Sequence, residues 1–157
     1  MELLAPDLHA RVCALYDEYA IVCDEELERW PELFTDEAVY KIVARENYEA
    51  GLPLPTMLCE GRGMLRDRVT AIRRTCVYLP RQTRHLIANV RILGREETRV
   101  LARANFAVFD SLDGGSSQIL AAGRSFDTIA LGDELRFEEK VCVYDGNLVP
   151  GSIIYPL

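Results

Sequence analysis

The stretch Arg84-His85-Leu86-Ile87-Ala88-Asn89-Val90-Arg91-Ile92-Leu93 alternates in character along its length. Leu86, Ala88, Val90 and Ile92 fall on one side of an extended chain and His85, Asn89 and Arg91 on the other, the mark of a half-buried strand. The same period recurs downstream. After a turn at Gly94–Glu97, Thr98–Asp110 sets Val100, Ala102, Ala104, Phe106 and Val108 opposite Arg99, Arg103, Asn105 and Phe109. Asp113-Gly114-Gly115 then turns the chain into Ser117–Leu131, and Gly132-Asp133 into Leu135–Asp145, where Leu135, Phe137, Val141 and Val143 share a face. Four strands joined by tight turns predict an antiparallel meander. Strands of about 12–15 residues would reach roughly 40–50 Å if straight, so the sheet has to coil and curl around whatever covers its apolar side.

The cover is upstream. Leu8, Val12, Leu15, Tyr19 and Val22 recur at helical spacing behind Pro6-Asp7, with Asp7 at the N-cap position. Asp24 is placed to cap a short second helix through Glu25, Glu26 and Glu28, which Trp30-Pro31 interrupts. Ala38–Arg45 reads as a first short strand and Asn47–Gly61, with Gly51-Leu52-Pro53-Leu54-Pro55, as a loop. Met64–Thr75 forms a third helix with Leu65, Val69, Ile72 and Cys76 on its apolar side. Helices first and a long, strongly curved, mostly antiparallel sheet second define an α+β cone, with residues 1–157 as a single domain.

Composition narrows the function. The chain has 157 residues, 49% hydrophobic and 27% charged, enough to bury a core without disulfides or metal. No run of about 18 uncharged apolar residues occurs and Met1–His9 lacks the features of a secretory leader, so a cytoplasmic protein with no membrane contact is expected. Cys13, Cys23, Cys59, Cys76 and Cys142 are too scattered for a disulfide framework or a zinc knuckle and read as reduced, mostly buried thiols. With only His9 and His85, a self-sufficient metal centre is not expected, and no Gly-rich phosphate loop is present.

Charge is unevenly spread. Residues 1–61 carry a net −10, residues 62–103 a net +8 and residues 104–157 a net −5 within the total of −7. All eleven cations of the middle block are arginines. Arginine is enriched at protein interfaces where lysine is depleted, which points to protein contacts; the alternative is pairing with the chain's own acidic helices. Nucleic acid is disfavoured, because the basic block lacks interleaved aromatics for base stacking.

Three runs carry a resemblance: Thr83-Arg84-His85-Leu86-Ile87-Ala88-Asn89-Val90, Arg103-Ala104-Asn105-Phe106-Ala107-Val108 and Ala122-Gly123-Arg124-Ser125-Phe126-Asp127. With Asp24-Glu25, Trp30, Phe34, Tyr40, Arg45-Glu46-Asn47 and Tyr144-Asp145-Gly146, in that order, the chain resembles the small (β) subunit of Rieske-type aromatic-ring-hydroxylating oxygenases over nearly its whole length. The Gly51-Leu52-Pro53-Leu54 loop and Gly61-Arg62-Gly63-Met64-Leu65 most resemble the branch acting on hydroxylated or amino-substituted benzoates, which includes the salicylate 5-hydroxylases. The resemblance implies a cystatin-like, NTF2-like fold and a non-catalytic structural subunit. In such an assembly the large (α) subunit holds the Rieske [2Fe–2S] cluster and a mononuclear Fe(II), and this chain holds no cofactor. It further implies a β trimer supporting three large subunits, α3β3, with NADH-derived electrons reaching the large subunit through a reductase and a ferredoxin.

On this reading Arg81, Arg84, His85, Arg91, Arg99, Arg103 and Arg124 are the subunit-interface candidates, with no catalytic, cofactor or metal residue of the chain's own. Asn105 and Asp127 are expected to bridge strands, and the apolar ending Val149–Leu157 either docks on its own domain or enters a subunit contact. A different class of function stays open: a stand-alone NTF2-like isomerase or dehydratase, with His85 as general base and Tyr16, Tyr40 or Asp24 as its partner in an apolar pocket.

Overall fold

Helix α1, Leu4–Glu25, lies inside a curved sheet and presents Leu8, Val12, Leu15, Tyr16, Tyr19, Val22 and Cys23 to it at the predicted spacing. The computed structural model describes residues 4–76, 78–146 and 153–157. A 3-10 turn, Leu27–Leu33, follows and accommodates Pro31, after which come β1 (Phe34–Ala44), α2 (Arg45–Glu49), β2 (Met57–Glu60) and α3 (Gly61–Arg74). The meander is β3 (Arg81–Arg95), β4 (Arg99–Leu112), β5 (Ser117–Ala130) and β6 (Arg136–Tyr144). Strand order is β2-β1-β6-β5-β4-β3, with β1 parallel to β6 and every other pair antiparallel. The α+β cone expected from the periodicities is present.

The upstream boundaries differ from the sequence reading in physically explicable ways. Asp7 lies within the first turn of α1, where its charge still faces the positive end of the helix, and does not cap it. Asp24 sits in the last turn of α1 with its carboxylate turned inward to β3, so it caps nothing; the residue before the 3-10 turn, Glu26, makes no side-chain capping bond. The first strand begins at Phe34 because β6 supplies a parallel partner from Phe137 onward. The segment read as a loop contains β2, which pairs with β1 from Ile42↔Met57 to Val39↔Glu60. Helix α3 starts one turn earlier than Met64 and buries Leu65, Val69 and Ile72, with Cys76 only half-buried beyond its end.

The most consequential difference is the phase of β3. Ala88 pairs with Asn105 but Arg91 with Arg103, so β3 carries one more residue than β4 across this step. Asn89 absorbs it in a left-handed conformation, φ 57°, which asparagine tolerates better than most residues. The extra residue flips every side chain upstream of it. Val90 and Ile92 face the core as predicted, but Leu86 and Ala88 point outward while Thr83, His85 and Ile87 point in. Strand β6 has a similar irregularity: Thr128 pairs with Glu139 but Ile129 with Phe137, leaving Glu138 unmatched. Leu135 and Phe137 therefore join the main core, whereas Val141 and Val143 lie on the opposite face with Val43 and Phe126. β4 follows the expected alternation throughout, from Val100 to Val108.

Candidate functional site

The β3 bulge brings His85 into the interior of the cone, 5% exposed, against the last turn of α1. Asp24 accepts the His85 backbone N–H at 2.9 Å and the Thr83 hydroxyl at 3.3 Å, and its Oδ1 lies 2.6 Å from His85 Nδ1. The other ring nitrogen, Nε2, is 2.9 Å from the Pro156 carbonyl. His85 thus faces an oxygen acceptor at each nitrogen, and neither is left free to take a proton from a substrate.

A second polar group lies deeper. Asp127 Oδ2 accepts from Tyr16, from Ser125 at 2.7 Å and from Lys140 Nζ at 3.2 Å. Lys140 is 2% exposed and its ammonium also stands 4.6–4.9 Å from the ring centres of Tyr16, Tyr19 and Phe137, a cation–π arrangement that replaces part of its lost hydration. Trp30, Phe34, Tyr40, Phe137 and Tyr19 complete the wall in edge-to-face contacts at 5.0–6.5 Å.

Ile153–Leu157 fills the space between these groups. Arg68 donates to the carbonyls of Ile153 and Ile154 at 3.2 and 2.8 Å, and the Tyr78 and Tyr155 hydroxyls are 2.8 Å apart. The Leu157 carbonyl accepts from Tyr19 at 2.7 Å, Cys142 at 3.3 Å and Tyr40 at 3.4 Å, and the Leu157 N–H donates to the Tyr40 oxygen at 2.9 Å. Of the two places open to the apolar ending, these five residues take the chain's own cone; Asn147–Ser152 lie outside the described residues.

Burial suppresses the ionisation of this lining. It pushes the phenols of Tyr19 and Tyr40 and the thiol of Cys23 well above their ordinary values, and the Cys142 thiol up to about 12. Tyr16 is raised by burial first and by the Asp127 carboxylate second. A raised value in the fold means that stability is complete below the ordinary ranges, 9.0 for the thiols and 10.0 for the phenols, and is lost as pH rises through them. Tyr16, Tyr19 and Tyr40 are therefore expected to yield phenolate absorbance only in one cooperative unfolding step above about pH 10. Smooth titration of all seven tyrosines without unfolding would contradict the burial seen here.

The arginines divide. Arg81 turns inward and pairs with buried Asp110 at 3.1 Å. Arg99 lies at the start of β4 beside Glu96 and Glu138, and Arg84 reaches Glu25 at 3.8 Å. Pairing with the chain's own acids accounts for these, and for Arg62–Asp36 and Arg73–Glu28. Arg91, Arg103 and Arg124 differ. Arg91 stands directly opposite Arg103 on the outer face, and neither has an anionic partner among the described residues. Arg124 is on the same face and, among the described residues, its side chain bonds only the Asn105 amide oxygen at 3.2 Å. Farther along the same face the edge strand exposes Leu86, at 55%, and Ala88, with Ile119 at 55% on β5. A cleft of about 530 Å³ adjoins, lined by Arg45, Tyr48, Asn105, Arg124, Phe126 and Asp145, its floor the stacked rings of Tyr48 and Phe126 at 5.2 Å. His85, an interface candidate from sequence, is corrected: burial removes it from any partner's reach.

Tyr19, Lys140, Cys142 and Leu157 belong to the interior site; the sequence marked Tyr19 and Cys142 only as buried and Leu157 only as part of the apolar ending, and it did not mark Lys140. Lys140 did have a signal, a cation directly before the apolar run Val141-Cys142-Val143, which calls for a buried counter-ion. Among the described residues no three His, Cys, Asp or Glu side chains are grouped as metal ligands, and His9 lies on the exposed side of α1 beside Cys13. No helix among the described residues is long and apolar enough to cross a membrane.

A cone of α1 and α3 within a six-stranded mixed sheet is the NTF2-like architecture found in β subunits of ring-hydroxylating dioxygenases. The sequence matches the ring hydroxylating beta subunit family over residues 18–149, and the chain belongs to that family. It is 33% identical to the small subunit of anthranilate 1,2-dioxygenase from Burkholderia cepacia over 135 residues, 85% of this chain and 84% of that one. A β subunit of terephthalate 1,2-dioxygenase from Comamonas sp is 26% identical, covering 94% and 97% of the two chains. Among solved structures, the β subunit of a provisionally assigned aromatic-ring-hydroxylating dioxygenase from Novosphingobium aromaticivorans superposes with a TM-score of 0.89 at 34% identity, over 98% of this chain and 99% of that one.

Proposed function

We propose that this chain is the non-catalytic structural subunit of a Rieske non-haem iron oxygenase acting on an aromatic acid. The large subunits would carry the [2Fe–2S] cluster and the Fe(II), and a ferredoxin and reductase would deliver electrons to them. The observation that carries the structural role is the outer face of β3–β5. Arg91 and Arg103, like charges directly opposite each other, repel unless an anionic surface covers them, and Leu86 and Ile119, exposed farther along the same face, lose water where that surface extends over them. Family membership supports the oxygenase, and relatives named for anthranilate and terephthalate support a carboxylated ring as substrate. A salicylate-like or other substituted benzoate is the narrower reading.

Co-expression with a Rieske large subunit, followed by size-exclusion chromatography with light scattering, tests the role. The wild-type chain is expected in a complex of β trimer and large subunits, α3β3, and Arg91→Glu/Arg103→Glu is expected to weaken that complex at least about tenfold while leaving the isolated fold intact. A wild-type chain that elutes alone beside its folded large subunit overturns the proposal. Product analysis of the reconstituted oxygenase on benzoate, salicylate, anthranilate and terephthalate decides the substrate.

A further inference from the structure

We propose that the interior of the cone is a binding site for a small aromatic carboxylate, and that Ile153–Leu157 occupies it as a built-in competitor. This site lies on the opposite side of the sheet from the arginine face, and the inference stands whatever assembles there. The segment is held as a guest is held. Its carbonyls at Ile153, Ile154, Pro156 and Leu157 meet side-chain donors in place of a neighbouring strand: Arg68 at the mouth, then His85, then Tyr19, Tyr40 and Cys142. None of these contacts depends on the sequence of the segment, since all but the Tyr78–Tyr155 bond engage main-chain atoms.

The lining specifies what else fits. Two acceptor positions, those now taken by the Pro156 and Leu157 oxygens, are surrounded by imidazole, phenol and thiol donors, which suits the oxygens of a carboxylate. The Tyr19 and Tyr40 rings that bond the Leu157 main chain belong to an edge-to-face cluster with Trp30, Phe34 and Phe137, surroundings that suit an aromatic ring. The Trp30 indole N–H, fully buried against Tyr40, has no acceptor among the described residues and supplies an unused donor. Withdrawal of Pro156 would also free His85 Nε2.

Two measurements on the full chain test this with benzoates as probes. Binding of 4-fluorobenzoate, followed by fluorine NMR, is expected to be weak in the wild type, since apparent affinity scales with the fraction of chains whose segment is withdrawn. Loosening the segment by Arg68→Ala/Tyr155→Phe, which removes bonds at the mouth and none to the donors inside, is expected to tighten binding at least about tenfold. Tyr40→Phe in that background is expected to weaken it again about fivefold. In the wild-type chain, benzoate is expected to accelerate hydrogen exchange at the Leu157 amide, which the Tyr40 oxygen now protects. Binding equal in wild-type and loosened chains, binding insensitive to Tyr40→Phe, or no binding to either overturns the proposal. Leu157 exchange unchanged by benzoate overturns it even where the loosened variant fails to fold.

Discussion

Asp127→Ala is expected to cost about 3–5 kcal/mol of stability, because it leaves the Lys140 ammonium buried without its carboxylate. Tyr16 and Ser125 lose their acceptor in the same step. For a chain of this size that loss lowers the melting temperature by roughly 10 °C or more, read by thermal or urea unfolding. Pairing the change with removal of the charge separates its causes. Asp127→Leu/Lys140→Met replaces the ion pair with apolar side chains and is expected to be more stable than Asp127→Ala alone. A loss below about 1 kcal/mol in the single variant would mean that water reaches Lys140, contrary to the packing of three rings around it.

Gly123→Ala is expected to be comparably severe, about 3 kcal/mol or more, for a purely steric reason. A Cβ at this position would stand 1.9 Å from the Val143 carbonyl oxygen and 2.8 Å from the Tyr144 Cα, backbone atoms that cannot rotate away. Strands β5 and β6 would have to part where Gly123 pairs with Tyr144, next to the strand that carries Lys140 and Cys142. Gly63→Ala is the control. It lies in α3 with open space around the added methyl, so alanine's helix preference is expected to stabilise the chain by about 0.5–1 kcal/mol. Equal melting temperatures for the two variants would contradict the close approach of β5 and β6.

Much of the site resisted reading from sequence because it depends on counting residues against a partner strand. Leu86-Ile87-Ala88 is apolar at three consecutive positions, so it is equally consistent with either face turned inward. Only the pairing with β4, one residue shorter across Asn89, decides that Ile87 and His85 go in. Val141 and Val143 present the same difficulty beyond Glu138. Asp24 sits where a helix cap would be chemically suitable, and its true partners, Thr83 and His85, are about sixty residues away. The arginine block was legible as a whole but not in its parts: local charge counts do not tell Arg81, paired inside, from Arg103, exposed opposite another arginine.

What the sequence determined by itself was everything set by near neighbours. The meander, the apolar stripe of α1, the turns at their glycines and the shortage of metal ligands follow from periodicity and residue type within windows of about a dozen residues. The tertiary structure alone decided the direction in which His85 faces, the burial of Lys140 upon Asp127, the bare arginine pair on the outer face and the lodging of Ile153–Leu157 in the cone. Each is a contact between groups far apart in the chain. For His85 and Lys140 the physical reason is the same: a strand repeats every two residues, so one residue unmatched against the partner strand reverses a face, and no local pattern records where that residue lies.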